Sequence, residues 1–315
     1  LSNLMRLIQN ENMKIYRRPG TWVMYGILIA ILLIIGLFTK FILEDPVSNW
    51  REDLTLKNAQ YQMLIDEREM LAVAVERYQR EITLNEYRLE QNIPPIETKS
   101  FWGFMTSTVN SISIVTMFTI IIAAGIVAGE FTWGTIKLLL IRPASRAKIL
   151  LSKYIATFVF AILMLLGLFI FSFGIGSLLF GGGTLTQPHL FFDAGQVVER
   201  NMFSHLLMLY GLSSVELLMM VTFAFMISTI FRSSSLAIGL ALFLMFTGSQ
   251  LVHVLSQYEW VKYILFANTY LAQYIEGTPL VEGMTMTFSI VMLAIYFIFF
   301  NVLSWVIFQK RDVAA

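Results

Sequence analysis

Apolar residues in this chain do not alternate; they gather into long runs separated by short polar segments. A membrane-crossing helix needs roughly 20 mostly apolar residues. Six stretches meet that requirement: 22–43, 102–128, 154–180, 203–231, 236–256 and 286–308. The polar segments have patterns of their own. Residues 4–18, "LMRLIQNENMKIYRR", place Leu4, Leu7, Ile8 and Ile15 near one helical face, with Arg6, Glu11, Lys14 and Arg17 at polar positions. This predicts a short helix lying on a leaflet surface, broken from the first span by Pro19-Gly20.

Residues 47–93 contain neither Gly nor Pro and carry two heptad registers, Leu54, Tyr61, Val75, Ile82 and Leu89 in one and Leu64, Leu71 and Tyr78 in the other. Arg68 and Asn85 interrupt the seam. At 1.5 Å per residue a single straight helix would end roughly 65 Å from its start. The chain must return to the membrane at Phe101, so a bent helix or a helical hairpin, turning near residues 66–69, is expected, closed by Pro94-Pro95. Residues 181–201 read as a Gly-rich loop. Residues 257–285 read as short helices dipping into a leaflet. The expected fold is all-α and polytopic. It comprises an interfacial helix (1–20), a first span (21–43), a helical insertion (44–100), and a region with spans two to six (101–315).

Composition agrees. Of 315 residues 57% are hydrophobic and 14% charged, the mean hydropathy is +0.70, and a soluble domain carries about 25% charged residues. The net charge of +1 hides segregation. Arg6, Lys14, Arg17, Arg18, Lys137, Arg142, Arg146, Lys148, Lys153, Arg232, Lys310 and Arg311 fall in segments on one side, where the only acids are Glu11, Glu130 and Asp312. Residues 44–100, on the other side, hold twelve acids and seven bases. The rule that basic loops stay inside predicts both termini in the cytoplasm. Five of the six Trp lie near span ends, as their amphipathic rings prefer. The first span is too long for the apolar core of a cleavable leader, and none is expected.

Catalytic signatures are missing. There is no cysteine, no G-x-x-x-x-G-K-[ST] loop for binding ATP and no H-E-x-x-H metal motif. His189, His205 and His253 are scattered near outer span ends without metal-ligand spacing, so neither metal nor cofactor is expected in this chain. Glu216, midway along the fourth span in "LSSVELLMM", is different. A carboxylate at that depth is costly; it marks either a residue that faces or gates a translocation path, or a protonated group bonded to a neighbouring helix, with Ser213 or Ser214 nearby. Lys40, at a span end, reads as a snorkelling side chain.

The densest basic patch is "GEFTWGTIKLLLIRPASRAKILLSKY", residues 129–154. Glu130 to Ile141 can continue the second span as helix. Arg142 precedes a proline and is biased away from helical geometry, Pro143 ends the helix, and Ser145 suits the N-cap of the next. A rigid elbow follows, carrying exposed bases. The stretch closely resembles the cytoplasmic segment of ABC-2 type transporter permeases, whose pattern is matched by Glu130, Gly134, Thr135, Ile136, Leu139, Leu140, Pro143, Ser145, Arg146, Ile149, Ser152 and Lys153. Six spans, an N-terminal interfacial helix and short outer helices before the last span extend the likeness over most of the chain. The insertion at 44–100 is longer than in minimal members.

The resemblance implies a permease subunit in a bacterial cytoplasmic membrane. It would pair with a second permease, the same chain or another, and dock onto an ATP-binding cassette ATPase that holds ATP and Mg. Coupling would run through Glu130, Gly134, Thr135, Lys137, Arg142, Pro143, Ser145, Arg146 and Lys148, with Arg232 as a smaller second contact. Spans rich in Phe and Met suit an exported amphipathic substrate, such as an antimicrobial peptide, antibiotic or lipid. The remaining expected contacts are with membrane lipids, and no nucleic-acid partner is implied. A sodium-extruding permease and a non-transporting sensor or scaffold built on the outer helices stand as alternatives.

Overall fold

The apolar runs fold into six helices long and apolar enough to cross a membrane, in a computed structural model that describes residues 2–43, 49–67, 72–140, 144–183, 187–193, 196–277, 279, 281 and 283–310. Helix α1 (Ser2–Tyr16) precedes the first, α2 (Pro19–Phe41). A helical pair, α3 (Trp50–Glu67) and α4 (Ala72–Gln91), leads to the second, which is divided into α5 (Phe101–Val109) and α6 (Ile112–Thr132). A short α7 (Ile136–Leu140) joins it to α8 (Arg146–Phe180). Strands β1 (Pro188–Asp193) and β2 (Gln196–Asn201) form an antiparallel hairpin before α9 (Met202–Ile230) and α10 (Ser234–Leu255). A 3-10 turn (Glu259–Tyr263), α11 (Leu265–Asn268) and α12 (Gln273–Glu276) precede α13 (Met286–Lys310).

Helix α6 is the axis of the bundle, packed by α8, α9 and α10. Ala123, Ala124 and Ala128 are fully buried along it, and small residues of this kind let neighbouring backbones approach closely. Ser228 Oγ on α9 accepts from the backbone N–H groups of Val127 (3.1 Å) and Ala128 (3.0 Å), adding a polar tie between the helices. The outer helices α2, α10 and α13 keep exposed apolar faces, with Ile34, Phe243 and Ile298 among the exposed side chains.

The second span is not continuous. Ser111 and Ile114 N–H groups donate three residues back, to Thr108 (2.9 Å) and Ser111 (3.0 Å), in place of the α-helical ladder. Hydroxyls of Thr106, Ser107, Thr108 and Ser113 all donate to backbone carbonyls three or four residues earlier. Such local bonds compete with the helix and bend it. The break falls at Asn110 and Ser111, without help from Pro or Gly.

The α3–α4 pair is the expected helical hairpin, though its turn lies outside the described residues. Tyr61 and Tyr78 pack with ring centroids 5.1 Å apart. Asn85, an interruption in the heptad, donates to Asn58 at 2.8 Å and so is satisfied within the seam. Arg68, the other interruption, lies outside the described residues. The pair is seated by Arg80, whose guanidinium donates to the carbonyls of Gly277 (2.8 Å), Phe192 (2.8 Å) and Ile275 (3.0 Å). One side chain thereby links α4, β1 and the C-terminal end of α12.

Two expectations change here. The stretch read as a Gly-rich loop contains the β-hairpin, whose six-residue strands are short and follow the glycine run at 181–183. The histidines are not all scattered. The hairpin carries His189 onto α9, where it stacks on His205 with centroids 3.5 Å apart and planes at 18°. No cluster of three or more His, Cys, Asp or Glu able to hold a metal occurs among the described residues. Lys40 reaches the Leu179 carbonyl at 2.6 Å, in keeping with a snorkelling role.

Burial first, and then the charges of His205, Arg88 and Arg200, push the His189 imidazole from 6.5 down to about 3. The folded chain keeps this ring neutral where the unfolded chain would protonate it. Its contribution to stability is therefore complete above about pH 6.5 and is lost progressively as pH falls toward 3. Amide-exchange protection factors across 188–201, corrected for the intrinsic pH dependence of exchange, should fall on acidification from about pH 7 to about pH 4, with that fall flattened in His189→Phe.

Candidate functional site

The elbow between the second and third spans is built around charge that is turned inward. Helix α8 is 35 residues long, about 52 Å at 1.5 Å per residue, against a hydrocarbon core of about 30 Å. Its first turns therefore extend past an apolar slab, and α1 lies along them. Ser145 caps α8 as expected, its Oγ accepting from Lys148 N at 3.4 Å. Two turns further on, Lys153 is 1% exposed.

A buried ammonium requires partners, and Lys153 has two. Its Nζ lies 2.8 Å from Glu11 Oε2 on α1 and 2.7 Å from Glu130 Oε1 at the end of α6. Lys14 completes the group, 2.7 Å from Glu11 and 3.3 Å from Glu130. The Thr135 hydroxyl donates to the other Glu130 oxygen. Two carboxylates and two ammoniums thus join α1, α6, α8 and the elbow turn.

The elbow itself differs from expectation. Residues 130–141 do not form one helix, because α6 stops at Thr132 and α7 starts at Ile136. Between them Gly134 adopts φ +69°, a left-handed conformation that Gly takes without steric cost. The Thr135–Glu130 bond spans this turn. Arg142 and Pro143, expected as the apex, lie outside the described residues.

On the elbow, Trp133 (64% exposed), Lys137 and Leu138 (69% exposed) are exposed, as is Lys148 in the first turn of α8. Arg18 places its guanidinium 4.9 Å from the Trp133 ring centre. Arg232, in the turn between α9 and α10, is brought alongside. Thr132 Oγ1 donates to the Arg232 carbonyl at 3.2 Å and accepts from Ser234 N at 3.0 Å. The Arg146 guanidinium donates to the Gln309 carbonyl at the end of α13, at 3.1 Å. Lys137, Ser145, Arg146, Lys148 and Arg232 are therefore gathered on one exposed end of the bundle, next to Gly134. Glu130 and Thr135 support that surface from within.

Glu216 is placed elsewhere. It is the middle residue of α9 and lines a cavity of about 410 Å³ between the α5–α6 break, α9, α10 and the segment before α12. Ser213 lines it too, but the described structure shows no hydrogen bond from either Ser213 or Ser214 to the carboxylate.

Sequence reasoning had not assigned roles to Glu11, Lys14 and Lys153 as an ion cluster. One signal was available: Glu11 and Glu130 are two of only three acids in the otherwise basic segments. The polar run "TSTVNSIS" at 106–113 inside an apolar span was likewise a signal for a break and a wetted surface.

Comparison with known proteins shows the family to which the chain belongs. Residues 70–314 match the family described as "Protein of unknown function (DUF2705)", and the chain belongs to it. The chain is 48% identical over 315 residues to "Uncharacterized protein YhcI" of Bacillus subtilis strain 168, covering 99% of this chain and 100% of that protein. It is 35% identical over 218 residues to "Uncharacterized membrane protein YdbK" of the same organism, covering 68% of this chain and 84% of that protein. This is a polytopic membrane protein with relatives in Bacillus.

Breaking a buried ion group by removing one partner costs about 3–5 kcal/mol, whereas a surface pair contributes about 0–1 kcal/mol. Lys153→Met should therefore lower the unfolding temperature in detergent far more than Lys14→Met, whose side chain is 36% exposed. Adding Glu130→Gln to Lys153→Met should restore part of the loss, because it removes one of the stranded charges. Equal effects of the two lysine substitutions would show that the cluster does not share its energy as its burial implies.

Proposed function

We propose that this DUF2705 member is the permease subunit of an ATP-driven exporter of the ABC-2 type, with the elbow as its docking element. One observation carries the reading. Exposed Trp133, Lys137, Leu138 and Lys148, with Arg232 bonded alongside Thr132, belong to an elbow whose ends are joined by a four-charge cluster in which Lys153 and Glu11 are buried. An exposed Trp with a neighbouring Arg on a preorganised support has the composition of a protein-docking anchor, and the lysines around it would steer an acidic partner surface. A support tied to α1, α6 and α8 at once can pass a push on to the spans, where a loose loop would absorb it.

On this reading the elbow end faces the cytoplasm, as the basic segments require, in a bacterial cytoplasmic membrane. A separate ATPase holds ATP and Mg and seats a groove over the elbow, and a second permease completes the path. The exposed apolar faces of α2, α10 and α13 support contact with lipid and with that second subunit. Hydrolysis resides on the partner, and this chain moves an amphipathic substrate.

The test is purification of the tagged full chain from its native membrane in mild detergent, with co-purifying proteins identified by mass spectrometry. An ATPase with a phosphate-binding loop should accompany the wild-type chain and be depleted at least tenfold by Lys137→Glu with Lys148→Glu, substitutions on exposed side chains. Recovery of well-folded chain without any ATPase under several mild detergents would contradict the proposal.

A further inference from the structure

The Glu216 cavity is polar where the surrounding protein is not. The carboxylate projects from the midpoint of α9, fourteen residues from each end of a 29-residue helix. No Lys, Arg or His lines the cavity. Among the described residues no ion pair engages Glu216. A carboxylate at this depth has a high desolvation cost, and membrane proteins retain one where it meets a cation or water. Among the described residues the chain supplies no cation to this site.

The rest of the lining indicates what would supply it. Asn110 comes from the break in the second span, and Gln250 lies near the hairpin end of α10. With the hydroxyls of Ser113, Ser213 and Ser249 they offer oxygen acceptors around the carboxylate. The α5–α6 break is what turns this part of the second span into a polar wall. The remaining wall is apolar and reaches an exposed side: Met245 lines the interior, while Phe246 (57% exposed) stands at the rim. Gly248 permits this arrangement, since a Cβ there would lie 2.4 Å from the Phe266 ring. A cavity with one acidic group, several acceptors and a greasy lateral rim matches a molecule with one cationic N–H head and an apolar tail.

We propose that this cavity is a binding site for a monocationic amphiphile with an N–H-bearing head, an alkylammonium or alkylguanidinium. Glu216 takes the charge, Asn110 and Gln250 accept from the remaining N–H groups, and the tail leaves across Met245 and Phe246. The assignment deepens the transport reading above by naming the substrate class, and it rests on that reading only for its biological direction. An anionic amphiphile would strand its charge against Glu216, and a neutral one would leave the carboxylate uncompensated.

The test is equilibrium binding of radiolabelled octylamine to the full chain in zwitterionic nanodiscs, with empty discs subtracted. One saturable site per chain is expected. Removing a charge-assisted contact weakens binding by about tenfold to a hundredfold, and Glu216→Gln should do so. Gln250→Glu, at an exposed position, should tighten binding several-fold, which guards against a folding defect in the first variant. Octanol and octanoate should not compete at equal concentration. The Lys137→Glu, Lys148→Glu elbow variant should bind octylamine normally, so loss of ATPase partnering and loss of this site are separately readable. Unchanged binding in Glu216→Gln, equal competition by octanol, or no saturable site would each overturn the proposal.

Discussion

Lys153 constrains the whole elbow end of this protein. An ammonium that is 1% exposed is sustained only if its hydration is replaced by carboxylates held at contact distance. Those carboxylates come from two separate elements, Glu11 on α1 and Glu130 at the end of α6. The interfacial helix is therefore fixed against α8 by the desolvation penalty of a charge as well as by apolar burial. Glu130 then reaches Thr135 across the Gly134 turn. Trp133 and Lys137 project from a segment whose base is held in place.

The same logic, with the opposite outcome, describes the middle of the membrane. At the elbow end, every buried charge has its complement within the chain. At Glu216 the cavity supplies acceptors and, among the described residues, no cation. Between the two regions lies α6, enclosed by its neighbours and joined to α9 through Ser228. Three helices run from the elbow end to the cavity wall: α6 itself, and α9 and α10, whose connecting turn is bonded to Thr132. The break at Asn110 and Ser111, where α6 begins, lies at the cavity wall.

The six spans were legible because membrane helices demand twenty apolar residues in a row, a signal that no soluble element imitates. The α3–α4 hairpin was legible from its heptads and from the need to return to Phe101. The Ser145 cap followed from local chemistry. Contacts between residues distant in sequence were not legible. Glu11 and Lys153 are separated by 142 positions, and nothing in the local pattern pairs them. His189 and His205 meet only because a β-hairpin, hidden after a glycine run, folds back onto α9. The elbow's first break was attributed to Pro143 although Gly134 already bends the chain by its left-handed backbone. The α5–α6 break needs no Pro or Gly at all; it is made by hydroxyls that bond their own backbone.

The central claim is that the buried charges make α1 and the elbow one rigid body, and the cysteine-free chain allows this to be measured directly. Nitroxide labels introduced at the exposed positions Gln9 on α1 and Lys148 at the start of α8 would report their separation by double electron–electron resonance. The account predicts one narrow distance distribution in the otherwise native chain, broadening markedly when Lys153→Met is added. A broad distribution in the native chain, or a narrow one that Lys153→Met leaves unchanged, would contradict it.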